Sequence, residues 1–189
     1  MTNIAILASG TGSNARKIVE YFSTNEDIHV KLIASNNAKA KVLDLANEYD
    51  LHKFAFDRSY FYNSQDFLKL LKKERIDFII LAGFLWMLPE YLIKAFPDRI
   101  INIHPSLLPK YGGKGMYGHH VHEAVKANSE TESGITIHLV NEEYDRGRVI
   151  FQRKVQLDAE DSAEMIAKKV LEIEHEFFPR VIEDFILTF

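Results

Sequence analysis

Asn102 and His104 stand two residues apart in the stretch Ile101-Asn102-Ile103-His104-Pro105-Ser106. A strand turns successive side chains to opposite faces, so this amide and this imidazole point to the same side. An amide N–H can hold a developing oxyanion. An imidazole, with a reference pKa of roughly 6.5, can move a proton near neutral pH. A third candidate, Asp145, follows Asn141, Glu142, Glu143 and Tyr144 in an acidic loop. A carboxylate beside the imidazole is expected to raise the His104 pKa and make it an acid near neutrality. Together the three groups suit addition to a carbonyl with no covalent enzyme intermediate. No Gly-x-Ser-x-Gly elbow supplies a serine nucleophile. The competing reading of His104 is a satisfied core histidine that fixes its loop, and residue chemistry alone leaves both open.

A second cluster lies at the start of the chain, in Ser9-Gly10-Thr11-Gly12-Ser13-Asn14-Ala15. Glycines between a strand and a helix let the backbone approach an anion, and the exposed amides and helix dipole favour negative charge there. Gly10-x-Gly12-x-x-Ala15 also fits the dinucleotide fingerprint, which makes a nicotinamide-dependent oxidoreductase a rival reading. That reading requires an acid after the second strand, where the chain has Ala34-Ser35-Asn36-Asn37. Ser13 and Asn14 add donors suited to a single terminal phosphate. A tight turn with no ligand is the plainer alternative.

These clusters need elements to hold them. Buried strands are predicted at 3–8, 29–35, 78–83 and 99–104, with helices at 14–23, 38–49 and 63–74. In the first helix Ala15, Ile18, Val19 and Phe22 share a face, and Asn63-Ser64 is the expected cap of the third. Pro89 can open a short helix. Strand and helix in alternation predict a parallel sheet with helices on both faces. Residues 134–140 and 149–157 are strands with no room for a helix between them, so an antiparallel C-terminal extension is expected. A last helix should begin near Asp161, with Glu164 completing a capping box, and Pro179 should kink or interrupt it. In doubly wound sheets ligands bind beyond the carboxyl ends of strands, where Asn102 and His104 fall. The expected organisation is one domain, 1–189, with a Rossmann-like half at 1–100 and a catalytic half at 101–189.

The 189 residues suffice for a sizeable core. A net charge of −4 gives no basic surplus for nucleic acid, so a phosphate-bearing ligand would need a local site. The chain has no cysteine, which excludes disulfides and thiolate metal sites. No apolar run is long enough to span a bilayer, and a soluble cytoplasmic protein is expected.

The segments Ala8-Ser9-Gly10-Thr11-Gly12-Ser13-Asn14, residues 102–118 ("NIHPSLLPKYGGKGMYG") and Asp145-Arg146-Gly147 resemble the folate-dependent formyltransferases. Within them the resemblance is to the phosphoribosylglycinamide formyltransferase family, and it covers essentially the whole chain. It implies a Rossmann-like formyltransferase fold and transfer of the formyl group of 10-formyltetrahydrofolate to glycinamide ribonucleotide in purine synthesis. Asn102, His104 and Asp145 match the catalytic trio. Gly12, Ser13 and Asn14 match the ribonucleotide phosphate loop, and Glu174, within Leu171-Glu172-Ile173-Glu174, matches the carboxylate on the ribonucleotide. Leu85, Trp86, Met87 and Leu88, with Asn102 and residues Asn141, Glu142, Glu143, Tyr144 and Asp145, match the folate pocket. Some members carry Arg where this chain has Trp86, and a stacking or apolar contact would replace it. The loop at 112–122 is the longer of two family versions. No metal, membrane or nucleic acid is expected as a partner, and the chain is expected to be a monomer or a homodimer. A formyltetrahydrofolate hydrolase is the nearest alternative within the family.

Outside these segments, His119, His120 and His122 with Glu123 are a weak metal pattern, read more simply as loop or substrate contacts. His138 is read as lining the folate pocket or as a packed strand histidine.

Overall fold

The computed structural model describes residues 1–189, which divide into two compact units, Met1–Ile101 and Asn102–Phe189. Seven strands build a mixed sheet with helices packed around it.

In the first unit, β1 (Thr2–Leu7) pairs in parallel with β2 (Ile28–Ser35) on one side, and on the other it pairs in parallel with β4 (Phe78–Leu81). β3 (His52–Ala55) pairs in parallel with β2, giving the order β3-β2-β1-β4. Strands of such a sheet are covered on both faces, which is why they read as unbroken apolar runs. Ile4, Ile6, Ile33, Ile79 and Ile80 are fully buried. α1 (Ser13–Phe22) buries Ala15, Ile18, Val19 and Phe22, the face its spacing predicts. α2 (Val42–Glu48) is shorter than expected, because residues 38–41 form turns.

β3 is absent from the sequence-based expectation. It is a four-residue edge strand, mostly exposed, and carries no clear alternation. The helix expected at 63–74 is also two helices. α3 (Arg58–Asn63) is capped by Asp57, which accepts from the Tyr60 N–H at 2.8 Å, and α4 covers Asp66–Lys73. Ser64 between them is extended; its hydroxyl donates to the Tyr60 carbonyl at 3.0 Å and accepts from the Asp66 N–H at 3.2 Å. Asn63 therefore ends α3, and Ser64 both closes that helix and supplies an acceptor to the first amide of α4, so the expected single helix is broken while Ser64 still caps its second part. After α5 (Glu90–Ala95), β5 (Ile100–His104) begins in this unit with Ile100 and Ile101.

The second unit opens with Asn102–His104 of β5, and β6 (Glu132–Leu139) pairs antiparallel with β7 (Val149–Gln156) as expected. α6 (His119–Ala127) begins inside the expected loop at 112–122 and runs past it. α7 (Ala163–Thr188) is one continuous helix of 26 residues with Pro179 inside it. Proline removes one helical hydrogen bond, but Val170, Phe178 and Ile182 around it are buried in the core, and this packing holds the helix together. Its N-cap is Ser162, whose hydroxyl accepts from the Met165 N–H at 3.3 Å. Asp161, the expected cap, instead accepts from the Asp158 N–H at 2.8 Å and from Lys169 Nζ at 2.5 Å. No helix is long and apolar enough to cross a membrane.

Candidate active site

Asn102 and His104 lie on β5, and Asp145 lies in the β6–β7 connection of the same unit. His104 is only 4% exposed. Its Nε2 lies 2.7 Å from the Tyr111 carbonyl. A carbonyl only accepts, so Nε2 carries the hydrogen and donates, and Nδ1 is the nitrogen left to exchange a proton. Asp145 Oδ2 lies 3.6 Å from that Nδ1, and Asp145 Oδ1 lies 3.6 Å from His138 Nε2. Both separations are too long for tight hydrogen bonds, and each becomes an ion pair only when the ring is protonated.

His138 joins the cluster from β6. Its Nδ1 donates to the Leu139 carbonyl at 2.8 Å, and its Nε2 accepts from the Asn102 side-chain amide at 3.0 Å. One amide hydrogen of Asn102 is thus used to fix the side chain, and the second remains available as a donor. The sequence reading left His138 between two roles. The signal that would place it is the adjacency of β5 and β6, since Asn102 and His138 meet only across that pair.

The charge state of His104 corrects the expectation from sequence. Burial lowers its pKa below the ordinary histidine value, and this outweighs the opposing pull of Asp145 and of the Tyr111 carbonyl; nearby His138 lowers it further. The resting imidazole at pH 7 is therefore neutral rather than an acid. The Asp145 carboxyl is pushed up by burial, yet His138, His104 and the Gly113 N–H together hold it below the usual carboxylate range. The Gly113 N–H donates to Asp145 Oδ2 at 2.8 Å. Asp145 itself has φ 55°, a left-handed backbone uncommon outside glycine. Gly112 lets this approach happen: a Cβ there would strike the Leu108 side chain and come within 3.3 Å of Asp145 Cβ. Such backbone strain clusters at functional sites, where the surroundings over-determine it.

The remaining candidates in this unit diverge. Leu171, Glu172, Ile173 and Glu174 are consecutive on α7, and helical residues rotate by about 100° each. Glu174 is buried whereas Leu171 and Glu172 are exposed, so the four do not share one face. Asn141 starts an Asx turn by accepting from the Glu143 N–H at 3.0 Å, and Glu142, Glu143 and Tyr144 are exposed. His119 and His120 pair with Glu123 at 3.3 and 3.4 Å.

In the first unit, Gly12 is the N-cap of α1 with φ 78°, and Ser13 and Asn14 form its first turn. A Cβ on Gly12 would overlap the Val42 side chain. The Leu85 N–H donates to Ser9 Oγ at 2.9 Å, which ties the 85–88 segment to the glycine loop. Leu85 and Met87 are exposed, Leu88 is buried and Trp86 is half-buried. Trp86 packs in a ring cluster with Phe56, Phe61, Tyr62 and Phe84 at centroid distances of 5.9–6.4 Å. The Arg58 guanidinium lies 5.1 Å from the Trp86 ring and 5.4 Å from the Tyr62 ring. Tyr62 Oη donates to the Met87 carbonyl at 2.8 Å.

Comparison with known proteins adds a separate line of observation. The formyl transferase family model matches residues 2–182. A phosphoribosylglycinamide formyltransferase from Bacillus subtilis is 33% identical over 97% of this chain and 94% of its own length. The chloroplastic phosphoribosylglycinamide formyltransferase of Arabidopsis thaliana is 41% identical over 95% of this chain. The chain spans 63% of that relative and 59% of a similar one from Vigna unguiculata. The crystal structure of phosphoribosylglycinamide formyltransferase from Bacillus halodurans superposes with a TM-score of 0.88 at 31% identity, covering 97% of this chain and 95% of that one.

Proposed function

This chain belongs to the formyl transferase family, and from that premise we propose that it transfers the formyl group of 10-formyltetrahydrofolate to the amino group of glycinamide ribonucleotide. The observation that carries the reading is the arrangement around Asp145: an oriented neutral imidazole with its free Nδ1 toward the carboxylate, beside an amide held by a second histidine. Relatives that carry the phosphoribosylglycinamide formyltransferase name support the choice of acceptor. They do not favour a hydrolase or a nicotinamide-dependent enzyme.

His104 acts first as a base. Its Nδ1 takes a proton from the attacking amine as the new carbon–nitrogen bond forms, and Asp145 stabilises the imidazolium that results. Asn102 directs its second amide hydrogen at the oxyanion. The same His104 proton then goes to the departing folate nitrogen as the old carbon–nitrogen bond breaks, so no proton is gained or lost overall. Burial keeps this cycle out of bulk water, where a protonated His104 would be less closely coupled to Asp145.

Gly12, Ser13 and Asn14 offer backbone and side-chain donors for the ribonucleotide phosphate, and Glu174 offers a carboxylate for its polar groups. Leu85, Trp86, Met87 and Leu88, with Asn141–Asp145, present backbone and apolar surface for the folate. The exposure of Leu85 and Met87 suits that role, since neither side chain is used in the core. The reading places the enzyme in purine synthesis in the cytoplasm, as a monomer or homodimer that requires no metal.

The test is to mix the protein with glycinamide ribonucleotide and 10-formyltetrahydrofolate and to follow tetrahydrofolate. Formation that requires the ribonucleotide is the expected result. Tetrahydrofolate released without it would instead mark a hydrolase, and no product at high enzyme concentration would overturn both.

A further inference from the structure

Tyr111, whose carbonyl orients His104, also lines a cavity that the proposed reaction does not use. Its volume is about 260 Å³, and its walls come entirely from the second unit. For scale, an apolar cavity of about 150 Å³ takes up benzene, and small-molecule sites begin near roughly 300 Å³. The space therefore suits a compound built on one ring.

Leu107, Pro109 and Val125 supply the apolar part of the wall, together with Tyr111. Ser133 also lines it. That residue is 3% exposed, and its hydroxyl has no hydrogen-bond partner. A buried hydroxyl without a partner costs free energy, and such a group in a cavity wall calls for a ligand polar atom. The charged lining residues are Glu130, Glu132 and Lys110, two carboxylates against one ammonium. Glu130 is held in place by Tyr111 Oη at 2.9 Å and is mostly buried. The lysines that face the carboxylates, Lys110 on Glu130 and Lys154 on Glu132, have side chains 65% and 64% exposed. Ion pairs to lysines so exposed are weak and yield readily to a competing cation.

We infer that this cavity is a second ligand site, which takes a small ring compound bearing a cationic nitrogen group: the ring lies on Leu107, Pro109 and Val125, Glu130 receives the charge, and Ser133 takes the remaining polar atom. The site is coupled to the active site through one residue. Tyr111 holds Glu130 with its hydroxyl and His104 with its carbonyl. A ligand that draws on Glu130 therefore acts on the group that orients the His104 ring.

Benzamidine is a suitable probe, with benzoate as the charge-reversed control. The full chain is titrated with each while backbone amide and histidine ring resonances are followed. Expected are saturable benzamidine shifts at Val125, Ser133 and the His104 ring, with none from benzoate. Ser133→Ala should weaken binding by about 5- to 10-fold, the loss of one hydrogen bond, and Glu130→Gln should weaken it at least as much. Ser133→Ala hardly changes volume, so it stays informative if Glu130→Gln disturbs the fold. Absence of saturable shifts at these residues, equal binding of benzoate, or unchanged affinity in Ser133→Ala would overturn the site.

Discussion

His104 donates its Nε2 hydrogen to the carbonyl of Tyr111, seven residues further along the chain, at 2.7 Å. This single bond decides the tautomer of the ring. It leaves Nδ1 as the titrating atom and turns it toward Asp145 rather than toward solvent. Tyr111 can serve because it sits at φ 55°, a left-handed turn residue whose carbonyl is swung back toward the strand end. The loop that follows β5 thus orients the His104 ring and is not only a connection.

Asp145→Asn should lower kcat by about 10²-fold, at the low end of what an acid–base partner contributes, and change KM for either substrate little. The carboxylate favours the charged imidazole, so its loss moves the His104 pKa further down and destabilises the state formed during transfer more than the bound ground state. Steady-state kinetics and an NMR titration of the His104 ring check both parts. An unchanged kcat would remove Asp145 from the mechanism.

His122 should make the protein less stable in mild acid. Burial, with His119 and His104 nearby, holds its pKa down to about 4, and its Nδ1 is buried without a hydrogen-bond partner. The folded value lies below the unfolded one, so the unfolded chain binds more protons between the two. Stability therefore rises with pH from about 4 to about 6.5 and is lost as pH falls through that window. A shift of this size corresponds to about 3 kcal/mol at full protonation. Urea unfolding at neutral pH and near pH 4.5 should show much of this difference, and His122→Asn should flatten it; equal slopes in both proteins would assign the acid loss elsewhere.

The sequence discloses the buried strands because an apolar run covered on both faces has few alternatives, and Ile4, Ile6, Ile79 and Ile80 have that environment. It discloses the common direction of Asn102 and His104 because strand alternation is geometric. It does not disclose β3, whose exposed residues carry no period, or the break at Ser64, where a side-chain hydroxyl competes for backbone groups. It leaves His138 between two roles, because its contact with Asn102 exists only once β5 and β6 are neighbours. It also gives the wrong sign for the His104 shift. A charged neighbour can be read from residue types, but the depth of burial that outweighs it belongs to packing.

Trp86 is the only tryptophan in the chain, so its fluorescence reports on one place. If the 85–88 segment takes the folate, addition of a stable folate analogue should change that emission saturably, while the ribonucleotide alone should change it little. Trp86→Ala should raise KM for the folate by about 3- to 10-fold with kcat largely kept, as expected for loss of uniform binding. An emission unmoved by folate at saturating turnover would separate Trp86 from the folate site.

Gly12→Ala should damage both the first unit and the glycine loop proposed to bind the ribonucleotide phosphate. At φ 78° an alanine is strained, and its Cβ would fall 2.7 Å from Val42 Cβ and 3.0 Å from Val42 Cα. Val42 is fully buried at the start of α2 and cannot retreat without moving that helix. The combined cost is about 1–3 kcal/mol of stability. The carbonyl of Gly12 also starts α1, accepting from the Arg16 N–H at 2.8 Å, so a shifted loop misdirects the first amides of the helix. KM for the ribonucleotide should rise about tenfold or more, whereas KM for the folate should move less. Val42→Ala in the same chain removes the overlapping Cγ2 atom but keeps Cβ and Cα, so it should restore a small part of the stability and of the affinity. Chemical denaturation and kinetics on the single and double variants check this, and a ribonucleotide KM unaffected by Gly12→Ala would take the loop out of phosphate binding.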